Sequence, residues 1–214
     1  MKKRLAVFDL DGTLNRTELF SVPAHMRALA ERGIHDVTPQ MVIDTFGERA
    51  EDYVKKLMGP SSPEEARRYL DDVAKYEREL IWENGRAYDG VAEGLKRLQE
   101  DGVITAICSN SSSRYINMVL NALHLSERID EIQDLRPGMT KVETLRLLLD
   151  RVNPDAAVMV GDRIFDIEAG KKNGLKTIGC AYGFQPNEAA QADVVIESGA
   201  EIYHAAVTLL EGSV

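Results

Sequence analysis

The sequence predicts an α/β fold: a parallel sheet sandwiched by helices, with a small all-α domain inserted after the first strand. Three observations carry this reading. Short apolar, partly β-branched runs at Leu5–Phe8, Val103–Cys108 and Ala156–Val160 end in polar or acidic residues, as buried parallel strands do. From about Asn15 to Arg86 only helical patterns appear, and from Ala87 onward helix and strand alternate in the manner of βαβ units. The predicted domains are therefore residues 1–14 with 87–214, and 15–86.

Within the insert, Glu18 to Glu31 carries Leu19, Val22, Met26, Leu29 and Ala30 at helical spacing, and Gly33 stops it. Thr38-Pro39 reads as an N-cap followed by proline at the first helical position, starting a helix through Met41, Val42 and Phe46. Gly47 breaks it, and Ala50 to Met58 resumes until Gly59-Pro60. Ser62-Pro63-Glu64-Glu65 is a helix start leading to a stripe of Tyr69, Leu70, Val73, Tyr76, Leu80 and Ile81. The insert is thus expected to hold four helices.

In the second part, Val91 to Asp101 reads as a helix ended by Gly102, and Val103 to Cys108 as a strand. Ser111 to Leu123 reads as a helix with a serine-rich start, and Ile129 to Asp134 as a short strand. Thr140-Lys141-Val142-Glu143 has a capping-box pattern opening a helix to about Arg151. A strand over Ala156–Val160 and a helix over Ile164–Asn173 follow, with Gly174 as C-cap. Strands at Leu175–Gly179 and Asp193–Ile196 close the sheet, and a last helix spans about Ala200–Leu210.

At 214 residues, 44% hydrophobic and 29% charged, the chain has the size and composition of a protein that buries a sizeable core. No apolar run reaches membrane-span length, and Met1-Lys2-Lys3-Arg4 leads into too few apolar residues for a signal peptide, so a cytoplasmic location is expected. The formal charge of -9 argues against nucleic acid as a partner, since phosphate backbones require a basic footprint. Cys108 and Cys180 read as packed thiols, and the four histidines follow no metal-ligand spacing.

The first strand stops at Asp9 and Asp11, followed by Gly12 and Thr13. Ligands of open α/β sheets bind outside the carboxyl ends of strands, so this ending reads as a site; Asp, Gly and Thr also form turns. The second apolar run ends at Ser109-Asn110, and the third at Gly161-Asp162 with Asp166 four residues on. Lys141 lies between them. Asp-x-Asp-Gly-Thr, Ser-Asn, Lys and Gly-Asp-x-x-x-Asp, in this order, resemble the four motifs of the haloacid dehalogenase superfamily of phosphohydrolases. The resemblance covers nearly the whole chain. The helical insert resembles the cap of members whose insertion follows the first motif, and the Gly161–Gly170, Thr177–Gly179 and Tyr182–Phe184 stretches look most like the phosphoglycolate phosphatase branch.

The resemblance implies a Mg²⁺-dependent phosphatase that takes a small phosphorylated metabolite through an aspartyl-phosphate. Asp9 would be the nucleophile. Asp11 would protonate the leaving alkoxide, deprotonate the attacking water and give its backbone carbonyl to the metal. Asp9, Asp162 and Asp166 would be the carboxylate ligands, Asp166 directly or through water. Ser109 and Asn110 would bind phosphoryl oxygens and Lys141 would meet the developing charge, while Thr13 is a phosphate contact or a turn stabiliser. Pro137-Gly138-Met139-Thr140 before Lys141 departs from the common Lys-Pro form, which leaves Arg136 as a rival.

In the insert, Gly47-Glu48-Arg49 is the stretch expected to set specificity, Arg49 suiting a substrate with a second anionic group; the same residues also read as an inter-helix turn. Two alternatives stay open. One is a β-phosphoglucomutase-like phosphotransferase, although Ser21 stands where those relatives usually carry a histidine. The other is a catalytically silent regulator that binds a phosphorylated metabolite.

Overall fold

A computed structural model describes residues 2–212. The chain divides into two compact units, one holding the chain up to Asn15 and from Ala87 onward, the other Arg16–Arg86.

The first unit opens with β1 (Arg4–Phe8), of which Leu5, Ala6, Val7 and Phe8 are fully buried. The second unit contributes α1 (Glu18–Ala30), α2 (Pro39–Ile43), α3 (Ala50–Met58) and α4 (Pro63–Asn84). The first unit then continues through α5 (Val91–Glu100), β2 (Val103–Cys108), α6 (Ser113–Ala122), β3 (Glu131–Gln133), α7 (Lys141–Val152) and β4 (Ala156–Gly161). It ends with α8 (Ile164–Lys172), β5 (Lys176–Cys180), α9 (Pro186–Ala189), β6 (Val194–Ile196) and α10 (Ile202–Glu211). The expected helix over Ser111–Leu123 begins two residues later, because Ser112 is the N-cap and accepts from Tyr115 N. The one-turn α9 carries no periodic signal in the sequence.

All six strands are parallel, in the order β3-β2-β1-β4-β5-β6. The chain runs from β1 out to β3 on one side, then crosses to β4 on the other side of β1. The carboxyl ends of β1 and β4 therefore flank the point where strand order reverses, where open sheets place their ligands.

The side-chain period of two divides β1 between two faces. Leu5 and Val7 align with Ala157 and Met159 of β4, and Val7 with Ala106 of β2. These residues form one core with Leu145, Leu148 and Val152 of α7 and Ala169 of α8. Cys108 packs in the same cluster, and burial pushes its thiol up to about 11, consistent with an inert packed sulfur.

In the second unit, Ser62 and Glu65 form a reciprocal capping box at the start of α4, and Thr38 caps α2 through Met41 N. Buried Ser21 donates to Glu77 at 2.7 Å, and His25 Nδ1 lies 2.5 Å from the Tyr69 hydroxyl. Burial lowers His25 to about 4, so it stays neutral at ordinary pH.

Leu148 is fully buried where α7 meets the sheet. Leu148→Ala should lower the stability of this unit by about 2–5 kcal/mol. Guanidinium unfolding followed by far-UV circular dichroism measures the loss, and an unchanged midpoint would contradict the packing described.

Candidate active site

The site grows from strand pairing. Phe8 aligns with Val160, and Asp9 N donates to Val160 O at 2.9 Å, so Asp9 comes off β1 beside the end of β4. Beyond β4, Asp162 follows Gly161, and Asp166 stands in the first turn of α8. The Asp166 carboxylate accepts from Arg163 N at 3.0 Å, capping that helix. Gly161 must lack a side chain here, since a Cβ on it would come within 2.3 Å of the Asp166 carboxylate.

Lys141 reaches the same place from the first position of α7. Thr140 and Glu143 fix that start reciprocally, Glu143 accepting from Thr140 N at 2.7 Å and Thr140 from Glu143 N at 3.4 Å. The ammonium bonds to Asp9 Oδ1 and pairs with Asp166 Oδ1 at 2.5 Å. The rival Arg136 instead pairs with Asp134 at 3.3 Å and is half-exposed.

The ligand atoms of Asp9, Asp162 and Asp166 all lie within 4.8 Å of one another, and all three residues are buried. Burial raises Asp9 to about 7; the Lys141 ammonium opposes this, while Asp166 and Asp11 add to it. Burial, then Asp166 and Asp9, hold Asp162 well above the usual carboxylate range. For Lys141, burial alone would lower the pKa, but Asp166 and Asp9 outweigh it and keep the ammonium charged. When all are ionised, three carboxylates face one ammonium in a site nearly closed to water, so two positive charges are wanting. The donors are all hard oxygens. A divalent cation such as Mg²⁺ fits both the charge and the donor set.

The loop after β1 is built around Asp162. Thr13 donates to its Oδ1 at 3.2 Å and Phe184 N to its Oδ2 at 2.8 Å, while Tyr182 donates to Thr13 O at 3.0 Å. Gly12 has φ +85°, and a Cβ there would lie 2.5 Å from Asp162 Oδ2 and 2.6 Å from the Phe184 ring. Only glycine meets both demands.

The Asp11 carboxylate is not one of the three that cluster, though its charge adds to the rise of Asp9. It accepts from Asn15 Nδ2 at 3.1 Å, Ser111 Oγ at 3.3 Å and the Tyr115 hydroxyl at 2.9 Å. Two carboxylates two residues apart thus occupy different surroundings. Ser109 is buried at the end of β2, its hydroxyl accepting from Ser111 N at 3.1 Å, with Asn110 next in the loop. A buried side chain, Arg163, pairs with Glu188 at 2.8 Å, and the same carboxylate oxygen takes Ile164 N at 2.9 Å. Glu188 of α9 therefore holds the turn between Asp162 and Asp166.

Gly47, Glu48 and Arg49 belong to the other unit. Gly47 has φ +86°, Glu48 pairs with Lys56 at 2.5 Å, and Arg49 is the N-cap of α3. Tyr115, Ser111, Asn15 and Glu188 lie outside every motif read from the sequence, and Tyr182 and Phe184 stand there only as part of a stretch that resembles one branch of the family; each reaches the site through a contact distant in sequence or through a turn.

A family model described as haloacid dehalogenase-like hydrolase matches residues 6–180. An N-acetylmuramic acid 6-phosphate phosphatase of Pseudomonas putida is 27% identical, over 94% of this chain and 95% of its own length. A phosphoglycolate phosphatase of Aquifex aeolicus is 29% identical, over 85% of this chain and 86% of its own. Among solved structures, a predicted phosphoglycolate phosphatase from Haemophilus somnus shares the fold with a TM-score of 0.86 at 21% identity, covering 96% of this chain and 98% of that one. A β-phosphoglucomutase from Clostridium difficile does so with a TM-score of 0.80 at 19% identity, covering 96% of both chains. With the match spanning most of its length and the four motifs drawn to one sheet edge, the chain belongs to the haloacid dehalogenase-like hydrolases.

Proposed function

We propose that the protein is a Mg²⁺-dependent phosphatase that hydrolyses a small phosphorylated metabolite through an aspartyl-phosphate on Asp9. The observation that carries this reading is the convergence of Asp9, Lys141, Asp162 and Asp166 in a buried cluster, with the Asp11 carboxylate bonded to Asn15, Ser111 and Tyr115.

In the first step Asp9 attacks phosphorus, forming an acyl-phosphate bond as the ester P–O bond breaks. Asp11 gives its proton to the departing alkoxide. In the second step Asp11 takes a proton from water as that water attacks the phosphorus, which releases inorganic phosphate and restores the Asp9 carboxylate. Lys141 holds Asp9 in place and meets the negative charge of the transferring group, while Ser109 and Asn110 bind phosphoryl oxygens. Thr13 acts through Asp162, whose orientation it fixes. Mg²⁺ would be held by Asp9, Asp162, Asp166 and the Asp11 carbonyl. When bound, it supplies the charge that neutralises the phosphate oxygens.

The relatives named above support a substrate carrying a carboxylate, since phosphoglycolate and N-acetylmuramic acid 6-phosphate each have one in addition to the phosphate ester. Arg49, with Gly47 and Glu48, is the proposed reader of that group. The presence of every catalytic carboxylate favours an enzyme over a silent regulator. At the place where a phosphotransferase relative would carry histidine, Ser21 is bonded to Glu77, which favours hydrolysis over transfer.

The nucleophile is tested by trapping. Asp9→Asn should form no phosphoenzyme, whereas Asp11→Asn should slow both formation and breakdown, by roughly 10²–10⁴-fold. Labelled phosphate on the Asp9→Asn protein would name another nucleophile.

The metal is tested without relying on turnover alone. EDTA should abolish hydrolysis of p-nitrophenyl phosphate, and Mg²⁺ at a hundred times its dissociation constant should stabilise the folded protein by about 2.7 kcal/mol in thermal denaturation. Full activity in EDTA would remove the metal from the mechanism.

Specificity is tested on the insert. Arg49→Ala should raise KM for phosphoglycolate or N-acetylmuramic acid 6-phosphate by about tenfold, on the order of one charged hydrogen bond, and by far less for p-nitrophenyl phosphate. Equal effects on both kinds of substrate would clear Arg49 of this role.

A further inference from the structure

The loop after β1 and the start of α6 meet because β1 and β2 pair in parallel, with Phe8 opposite Ile107. This brings Asp11 beside Ser111 and Tyr115, about a hundred residues away in sequence. Two facts fix the phenol there. Ser112 caps α6 and accepts from Tyr115 N at 3.3 Å, which sets the backbone of Tyr115 in the first turn. Side chains of a helix lean toward its N-terminus, so a tyrosine in the first turn projects over the strand ends.

The phenol hydroxyl then lies 2.9 Å from Asp11 Oδ1, and Asn15 Nδ2 lies 3.1 Å from the same oxygen. Ser111 Oγ lies 3.3 Å from Oδ2. The carboxyl group is therefore gripped at both oxygens, from its own loop and from the α6 side. A carboxyl group free to rotate about its side-chain bonds would meet the leaving oxygen only part of the time. Misplacement of about 1 Å at a reacting group can cost about 10²-fold in rate.

We infer that Tyr115, assisted by Ser111, is a positioning residue that holds the Asp11 carboxyl in the orientation needed for proton transfer. The inference rests on Asp11 being the acid and base of the proposed reaction. It goes further in assigning the orientation of that group to two residues that none of the four motifs includes. A hydroxyl donates or accepts in nearly the same geometry, so this clamp holds whether or not Asp11 carries its proton. Asn15, whose amide nitrogen only donates, lacks that freedom.

The test uses leaving groups that differ in their need for a proton. Nitrophenolate departs from p-nitrophenyl phosphate as a stable anion; phenolate from phenyl phosphate is a much stronger base and gains more from an acid. The quantity read is kcat/KM for phenyl phosphate divided by that for p-nitrophenyl phosphate, which reports the step up to phosphoenzyme and cancels losses common to both. Tyr115→Phe, which keeps the ring, should lower this ratio about tenfold, a part of the roughly 10²–10⁴-fold that general acid catalysis supplies. Ser111→Ala should lower it in the same direction and serves if Tyr115→Phe does not fold. Asp11→Asn should lower it further than either. An unchanged ratio in Tyr115→Phe and Ser111→Ala, with the ratio reduced in Asp11→Asn, overturns the positioning role alone. An unchanged ratio in Asp11→Asn overturns the acid assignment, and the inference falls with it.

Discussion

The structure depends on one electrostatic constraint, which is that Asp9, Asp162 and Asp166 are buried together with a single ammonium, Lys141, among them. Carboxylates this close and this dry repel one another and lose hydration, so the surroundings must compensate at every side. They do so in kind. Backbone N–H groups of Arg163 and Phe184 and the Thr13 hydroxyl are directed at carboxylate oxygens, and Lys141 joins Asp9 to Asp166. The deficit of positive charge that persists is the property that makes the cluster receptive to a divalent cation.

The rest of the α/β unit serves that constraint by fixing where the charges stand. Hydrophobic packing of α7 on the sheet carries Lys141 to the carboxyl end of β1, and a capping box settles the residue at which the helix starts. The small residues have a similar part. Gly12 and Gly161 lie where any side chain would press on Asp162 or Asp166. Strand pairing positions Asp9 and helix starts position Lys141 and Asp166, while loop residues Thr13 and Phe184 orient Asp162.

Much of this was legible in the sequence, for identifiable reasons. Apolar runs marked the long strands, and two reciprocal caps, Ser62–Glu65 and Thr140–Glu143, marked helix starts because both partners lie within four residues. The acidic and basic motif positions were visible because each lies just beyond a strand or in the first turn of a helix. Tyr115 and Glu188 were not, because what gives them meaning is a partner about a hundred or twenty-five residues away, and neither leaves a periodic trace. The serine run from Ser111 to Ser113 contains three good cap residues, so the sequence could not tell which one the helix would use. Strand β3 falls within the short strand read at Ile129–Asp134, whereas α9 is a single turn, below the length at which periodicity speaks.

The way the inserted unit is attached has a consequence for how such a chain can change over time. In the α/β unit, Asn15 pairs antiparallel with Ala87 and Tyr88 N donates to Leu14 O, so the two cut ends of the core are stitched to each other. In the insert, Arg16 N donates to Arg86 O, closing that unit at its own base. Each unit thus carries the closure of its own chain, and among the described residues every strand of the sheet pairs with another strand of the α/β unit. A different insert with the same two ends could be spliced in without disturbing the register of β1 with β2 and β4. The inserted module can then be exchanged while the sheet that carries Asp9 and Asp162 keeps its register.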